Sequence, residues 1–287
     1  MRNEQGELPQ HIRQFVSEAE KLLPKLEEKR DAAVVPLLFS TRRLISKPSV
    51  DELYDALSSI GEQPKVDVIL FSYGGDPDQA YIIGSMLQDF TKERLTVIVP
   101  RLAKSAATLI ACAGDEVGMG PASELGPVDL TIEIEGKYIS VMSITELVEM
   151  IKRGSFGDLG TKVLEKVPIL ELGYYSRLSR HTPKLLEKLL SRRMFKDEPL
   201  RAKAIAEELC QAYESHSAAI VLTDVKDKLK LANISPDAWS LIWKLHRLWI
   251  NTIIDYEDRL PDNARLEEVN IKVGKGVVFC TKLIEEK

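Results

Sequence analysis

Two short stretches of the sequence combine residue types that could carry out nucleophilic acyl transfer. The first, Ser72-Tyr73-Gly74-Gly75-Asp76-Pro77, follows an apolar run and precedes a helical pattern. Paired glycines there permit a tight turn, close approach of the backbone to a ligand, and an amide aimed at a bound oxygen. The second, Pro100-Arg101-Leu102-Ala103-Lys104-Ser105-Ala106-Ala107-Thr108, puts a hydroxyl at a helix start, where exposed amides and the helix dipole favour developing negative charge. Each stretch also has a plain structural reading, a strand-to-helix turn for the glycines and an N-cap for the serine. A serine hydroxyl becomes a nucleophile at neutral pH only when a neighbouring base accepts its proton, and an imidazole base needs a carboxylate to orient it. The chain offers His11, His181, His216 and His246, the acids Asp115, Glu116 and Asp129, and the amines Lys152, Lys162 and Lys166. A lysine serves as base only when burial lowers its pKa by several units, and the run from Met150 to Lys166 reads as solvated. Lys104 is expected to point to another face of the turn, toward an acidic group or nothing.

The elements that must position these residues follow from hydrophobic periodicity. Apolar runs of strand length occur at 34–39, 66–71 and 95–100, separated by helical patterns at 50–61 and 77–91. Strand, helix and strand in alternation predict a parallel sheet with right-handed crossovers, and both chemical stretches fall at carboxyl ends of its strands, where open α/β sheets bind ligands. A small-residue helix is expected at 105–113, stopped by Gly114, followed by a short strand in Glu116-Val117-Gly118-Met119-Gly120. Upstream, residues 11–31 read as an amphipathic helix that Pro24 could kink. Residues 141–213 read as helical and charged, and 236–257 as a helix with Trp239, Trp243 and Trp249, capped by Ser235 and Pro236; together they are expected to form a helical layer. The tail predicts two strands joined around Gly274 and Gly276. The expected division is an N-terminal helix over 1–31, a main domain over 32–230 and a C-terminal helix and hairpin over 231–287.

Composition narrows the function classes. With 44% hydrophobic and 29% charged residues, the 287-residue chain has enough apolar material for a sizeable core and is neither disordered nor fibrous. A net charge of -5 removes the basic footprint of a nucleic-acid binder. Cys112, Cys210 and Cys280 form no metal or dithiol motif and imply a reducing compartment, with Cys112 expected in the core. The beginning lacks a signal-peptide core, and charges interrupt every apolar segment before it reaches membrane-spanning length, so a cytoplasmic, unanchored protein is expected. No metal or cofactor is implied.

The two stretches together with Ala113 to Leu130 resemble the Clp-protease and crotonase superfamily: strand, Gly-Gly turn, helix, strand, serine at the next helix start, then a short strand and a proline-containing segment. The 30-residue spacing from Gly75 to Ser105 also suits that superfamily. Within it, the chain is most similar to the serine dehydrogenase proteinase family. The resemblance rests on Ser105, Thr108-Leu109-Ile110-Ala111, Gly114-Asp115-Glu116 and Leu125-Gly126-Pro127-Val128-Asp129. It implies an α/β fold with a Clp/crotonase-like β-β-α parallel sheet core, flanking helices and a helical C-terminal part. It also implies serine-type endopeptidase activity with Ser, Asp and His in that chain order, whereas Clp proteases place histidine before aspartate. By resemblance Ser105 is the nucleophile, Asp129 the acid and His216 the base, with Gly75 and Ala106 donating to the oxyanion and Gly74 shaping the substrate-binding turn. Two departures stand out: the glycines beside the family's nucleophile are here Ala106 and Ala107, and Ser215-His216-Ser217-Ala218-Ala219-Ile220 only partly keeps a Thr-His-Asp-Tyr-Pro-Ile-like segment.

His181 remains an alternative base, and signal peptide peptidases, which share this fold, suggest a Ser-Lys dyad with Lys152, Lys162 or Lys166. A crotonase-type acyl-CoA enzyme and a catalytically inactive scaffold are the rival classes. The implied partners are a peptide or protein substrate and further copies of the chain in a homo-oligomer, with neither nucleic acid nor membrane.

Overall fold

A computed structural model describes residues 8–129, 131–134, 137–154, 169–213, 215 and 217–284. Its core is a six-stranded sheet ordered β10-β11-β1-β2-β3-β5. The strands are β1 (Ala33–Phe39), β2 (Gln63–Phe71), β3 (Thr91–Val99), β5 (Glu116–Met119), β10 (Leu266–Val273) and β11 (Gly276–Leu283). The pairing is parallel except between β10 and β11, which form a hairpin around Gly274. Such strands need helices on both sides, which is why β1 is buried along its whole length and reads as a continuous apolar run.

Alternate side chains build two separate cores. Val35, Leu37, Phe39, Val68, Leu70, Val97 and Val99 face one side. They meet Leu53 and Leu57 of α2 (Lys47–Ile60), Ile83 and Leu87 of α3 (Pro77–Asp89), and Leu109 of α4 (Ala106–Ala111). Behind these lie Leu186 and Leu190 of α6 (Ile169–Arg192) and Ile205 and Leu209 of α7 (Pro199–Gln211). Val34, Leu38, Ile69, Phe71 and Ile98 face the other side. There they meet α1 (Gln10–Arg30), which runs unbroken through Pro24, and α9 (Pro236–Trp249), whose fully buried Trp249 packs edge-on against Phe15 at 5.2 Å.

The single helical layer expected from 141–213 and 236–257 is therefore split between two faces. The reason is topological: the crossover helices α2 and α3 lie on one face, and the chain returns to the free edge of β1 through β10 and β11. The helix preceding that return covers the face the crossovers leave bare. α2 also begins at Lys47 rather than Val50, because Ser46 N–H donates to the Ser49 hydroxyl at 3.2 Å, Ser49 N–H donates back to the Ser46 carbonyl at 3.0 Å, and Pro48 sits in the first turn.

A second, three-stranded sheet, ordered β4-β6-β9, sits beyond the carboxyl ends of the large one. Its strands are β4 (Leu102–Ala103), β6 (Glu124–Leu125) and β9 (Ile220–Val221), and the short α8 (Leu222–Val225) follows β9. A hairpin of β7 (Thr131–Ile134) and β8 (Lys137–Ser140) leads into α5 (Val141–Lys152).

Candidate active site

The turn after β2 is held open by backbone pairing. Ile45 N–H donates to the Gly74 carbonyl at 2.8 Å, and Asp76 N–H donates to the Ile45 carbonyl at 2.9 Å, which leaves the Gly75 amide between them unused among the described residues. Gly74 and Gly75 have φ of 109° and 143°, the half of backbone space that favours glycine. A side chain on Gly75 would run into the Ile45 backbone, and one on Gly74 would stand 2.9 Å from Ser105 Cβ. The glycines thus let two neighbouring loops touch. Asp76 then caps α3, accepting from Asp78 N–H at 2.8 Å and Gln79 N–H at 3.2 Å.

Ser105 lies against this turn in an uncommon conformation, φ 51° and ψ -124°. Ala107 N–H donates to the Lys104 carbonyl at 2.9 Å, closing a β-turn of type II′ geometry with Ser105 at the position usually given to glycine. Its side chain makes no cap hydrogen bond to α4, so capping does not explain a serine here. A strained serine between a strand and a helix, with the next amide free, is the arrangement of a nucleophile elbow. The Ala106 amide begins the helix and donates to no acceptor among the described residues.

The small sheet gathers the remaining pieces. β4 immediately precedes Ser105, and β6 pairs with it through Leu102↔Glu124 and Ala103↔Leu125. Thr108, fully buried, bonds across to the same segment: its hydroxyl lies 2.7 Å from the Gly126 carbonyl and accepts from Gly126 N–H at 3.3 Å. Val128 N–H donates to the Leu209 carbonyl at 2.9 Å. This path delivers Asp129 to a cleft of about 80 Å3 lined by Gly75, Pro77, Ser105, Ala106, Val128, Asp129 and Thr182. Burial pushes the Cys210 thiol up, and the nearby Asp129 carboxylate adds to the shift.

The histidines separate by environment. His246 is 4% exposed and sits on the opposite face between Trp243 and Phe71; burial first, then the charges of Arg247 and Arg101, push its pKa down to about 4. His11 stacks on Tyr256 at 3.6 Å, also on that face. His181 neighbours the cleft residue Thr182, and its Nε2 lies 2.8 Å from Asp78 Oδ1. His216 lies outside the described residues, as do Lys162 and Lys166. Its neighbours Ser215 and Ser217 are described, and four residues after His216 the chain enters β9, where Ile220 pairs with Leu125.

The other candidates have structural tasks. Asp115 accepts from Leu95 N–H at 2.7 Å and pairs with Arg193 at 2.8 Å, and Lys152 pairs with Glu149 on the surface. Lys104 turns away from Ser105 to an acid, Glu124, at 3.2 Å. Cys112 is core, with burial pushing its thiol up to about 12. Two supporting residues escaped the sequence reading. Thr108 stood inside the quoted motif without a role, and Ile45 acts through its backbone, which no residue type betrays.

Known proteins provide an independent comparison. The profile of the family described as ClpP-like SDH-type serine proteinase matches residues 8–248. Among curated relatives, the uncharacterized protein MJ1495 of Methanocaldococcus jannaschii is 27% identical over 201 residues, 69% of this chain and 62% of its own. The uncharacterized protein MJ0137 of the same organism is 30% identical over 139 residues, 45% of this chain and 47% of its own. The chain thus spans roughly half to three fifths of the length of these relatives. Among solved structures, a variant of the 1510-N membrane-bound stomatin-specific protease aligns over 71% of this chain and 80% of its own, with 13% identity and a TM-score of 0.46.

Proposed function

Because the chain belongs to the ClpP-like SDH-type serine proteinase family, we propose that it hydrolyses peptide bonds with Ser105 as nucleophile, Asp129 and His216 as acid and base, and Gly75 and Ala106 as oxyanion donors. The observation that carries this reading is the strained backbone of Ser105, facing the same cleft as Asp129 and as both candidate donors. In the reaction the imidazole takes the Ser105 proton as Oγ attacks the scissile carbonyl, and the carboxylate orients and supports the resulting imidazolium. The tetrahedral oxyanion then receives two backbone hydrogen bonds, a contribution of about 2.7–4 kcal/mol per donor. The assignment of His216 rests on the family resemblance; the chain enters β9 four residues after it, and there Ile220 pairs with Leu125 of the strand that leads to Asp129.

Labelling of the protein with a fluorophosphonate, mapped by mass spectrometry, tests the assignment. Modification at Ser105 in the wild type, lost in both Ser105→Ala and His216→Ala, is the expected result. A specific observation supports a second reading for the base: His181, paired with Asp78 beside the cleft. Labelling that survives His216→Ala and disappears in His181→Ala would select it. Labelling that survives both would move the base to a lysine, and an unlabelled wild type would favour the crotonase-type or scaffold reading.

We also propose a cytoplasmic, homo-oligomeric protein with a peptide or protein substrate. Two observations support the location: the three cysteines are buried and unpaired, and among the described residues no helix is long and apolar enough to cross a membrane.

A further inference from the structure

The residue before the nucleophile departs from a simple surface lysine. Lys104 Nζ lies 3.2 Å from Glu124 Oε2, 3.4 Å from the Leu125 carbonyl and 3.2 Å from the Ala218 carbonyl. An ammonium has three donors, and three acceptors surround this one. The side chain is 17% exposed, and its stem runs across Gly126, where any Cβ would strike Lys104 Cδ. Arg101 holds the other oxygen of Glu124 at 3.0 Å, so the carboxylate is itself fixed.

These contacts join three segments of distant sequence. Lys104 belongs to the loop that presents Ser105, Glu124 and Leu125 belong to β6 on the way to Asp129, and Ala218 belongs to the approach to β9. The two-residue pairings β4–β6 and β6–β9 are short, so few backbone bonds hold the third segment in place. A half-buried, multiply bonded cation adds directional bonds at that point, and hydrogen bonds to charged groups are among the stronger ones in proteins.

We propose that Lys104 is a positioning residue for the reaction at Ser105, its ammonium clamping the segment at Ala218 onto the strand that leads to Asp129. The role rests on the serine-hydrolase reading with the base immediately before Ser217. Lys104 donates to protein acceptors on the far side of the turn and touches no reacting atom. Its effect passes through the alignment of the base, where misplacement by about 1 Å costs on the order of 10²-fold in rate.

The test compares wild type, Lys104→Met, which keeps the stem over Gly126, and Lys104→Arg, which keeps a cation. Read-outs are peptide hydrolysis, fluorophosphonate labelling rate against pH, and hydrogen exchange of residues 217–221. The clamp predicts that Lys104→Met lowers kcat by about 10²-fold with KM within about threefold, and shifts the pH dependence of labelling away from that of the wild type. It also predicts faster exchange confined to 217–221 and recovery of at least about tenfold in kcat in Lys104→Arg. Unchanged kcat and exchange in Lys104→Met would overturn the role alone. Equal loss in both variants with a lowered unfolding temperature would overturn it in favour of simple structural support. A wild type unlabelled at Ser105 would overturn the hydrolase reading and this role with it.

Discussion

Two residues other than glycine have positive φ among the described part of the chain, and they stand at opposite kinds of helix terminus. Asp31 ends α1 at φ 48° and ψ 50°, the left-handed conformation in which helices commonly stop, with its N–H donating back to Glu27. It is exposed and paired with Lys65. Ser105 begins α4 at φ 51° and ψ -124°, where no helix requires such a turn, and its surroundings are packed: Gly74 abuts it and Ala106 is buried. Asp31 shows an aspartate where one tolerates the left-handed region cheaply. Ser105 shows a conformation that persists because neighbouring segments hold it, which is how strain is stored at functional sites.

The sharpest way to break this contrast is Ser105→Ala, expected to reduce peptide hydrolysis by roughly 10⁶-fold, the scale of a lost nucleophile in serine proteases. Comparable activity in the variant, measured with a fluorogenic peptide, would make the strain of Ser105 irrelevant to chemistry. Next in size is Gly75→Ala, whose Cβ meets the Ile45 backbone and turns the amide away. A loss of about 10²–10³-fold in kcat is expected, and retention of wild-type kcat would remove Gly75 from the oxyanion site. Ser105→Gly discriminates strain from chemistry. It should be as inactive as Ser105→Ala yet about 1 kcal/mol more stable than it in urea unfolding, because glycine relaxes the turn. Equal stability of the two would mean the turn stores nothing. Smallest is Asp31→Gly, where the left-handed terminus accepts either residue. Its unfolding temperature should stay within about 2 °C of wild type, with activity unchanged, and a larger drop in calorimetry would make the two termini alike.

The same contrast marks what could be read from residues. Periodicity located β1, β2, β3 and the turns after them because continuous apolar runs have few other uses in a chain with this charge content. It could not show that β11 pairs with β1, since nothing in Val277, Val278 or Phe279 names a partner some 240 residues away. Ser105 and Gly75 were visible through their types and spacing. The backbone of Ser105 was not, because a serine before a helix ordinarily reads as a cap, and only the Lys104–Ala107 turn reveals otherwise. Asp129 reaches the cleft beside Ser105 along a path fixed by Thr108 and Gly126, contacts that spacing alone does not specify.

The placement of β11 has a consequence for the timing of synthesis. Ser40 N–H donates to the Phe279 carbonyl at 2.8 Å, and the nearly buried Arg43 donates to the Cys280 carbonyl at 3.0 Å. The loop they steady carries Ile45, whose backbone sets the Gly75 turn. A nascent chain emerging from the ribosome exposes Ser105 more than 150 residues before it presents Phe279. Contacts so distant in sequence are slow to form, so the turn at Gly75 gains its full support only once the last strand of the sheet is in place.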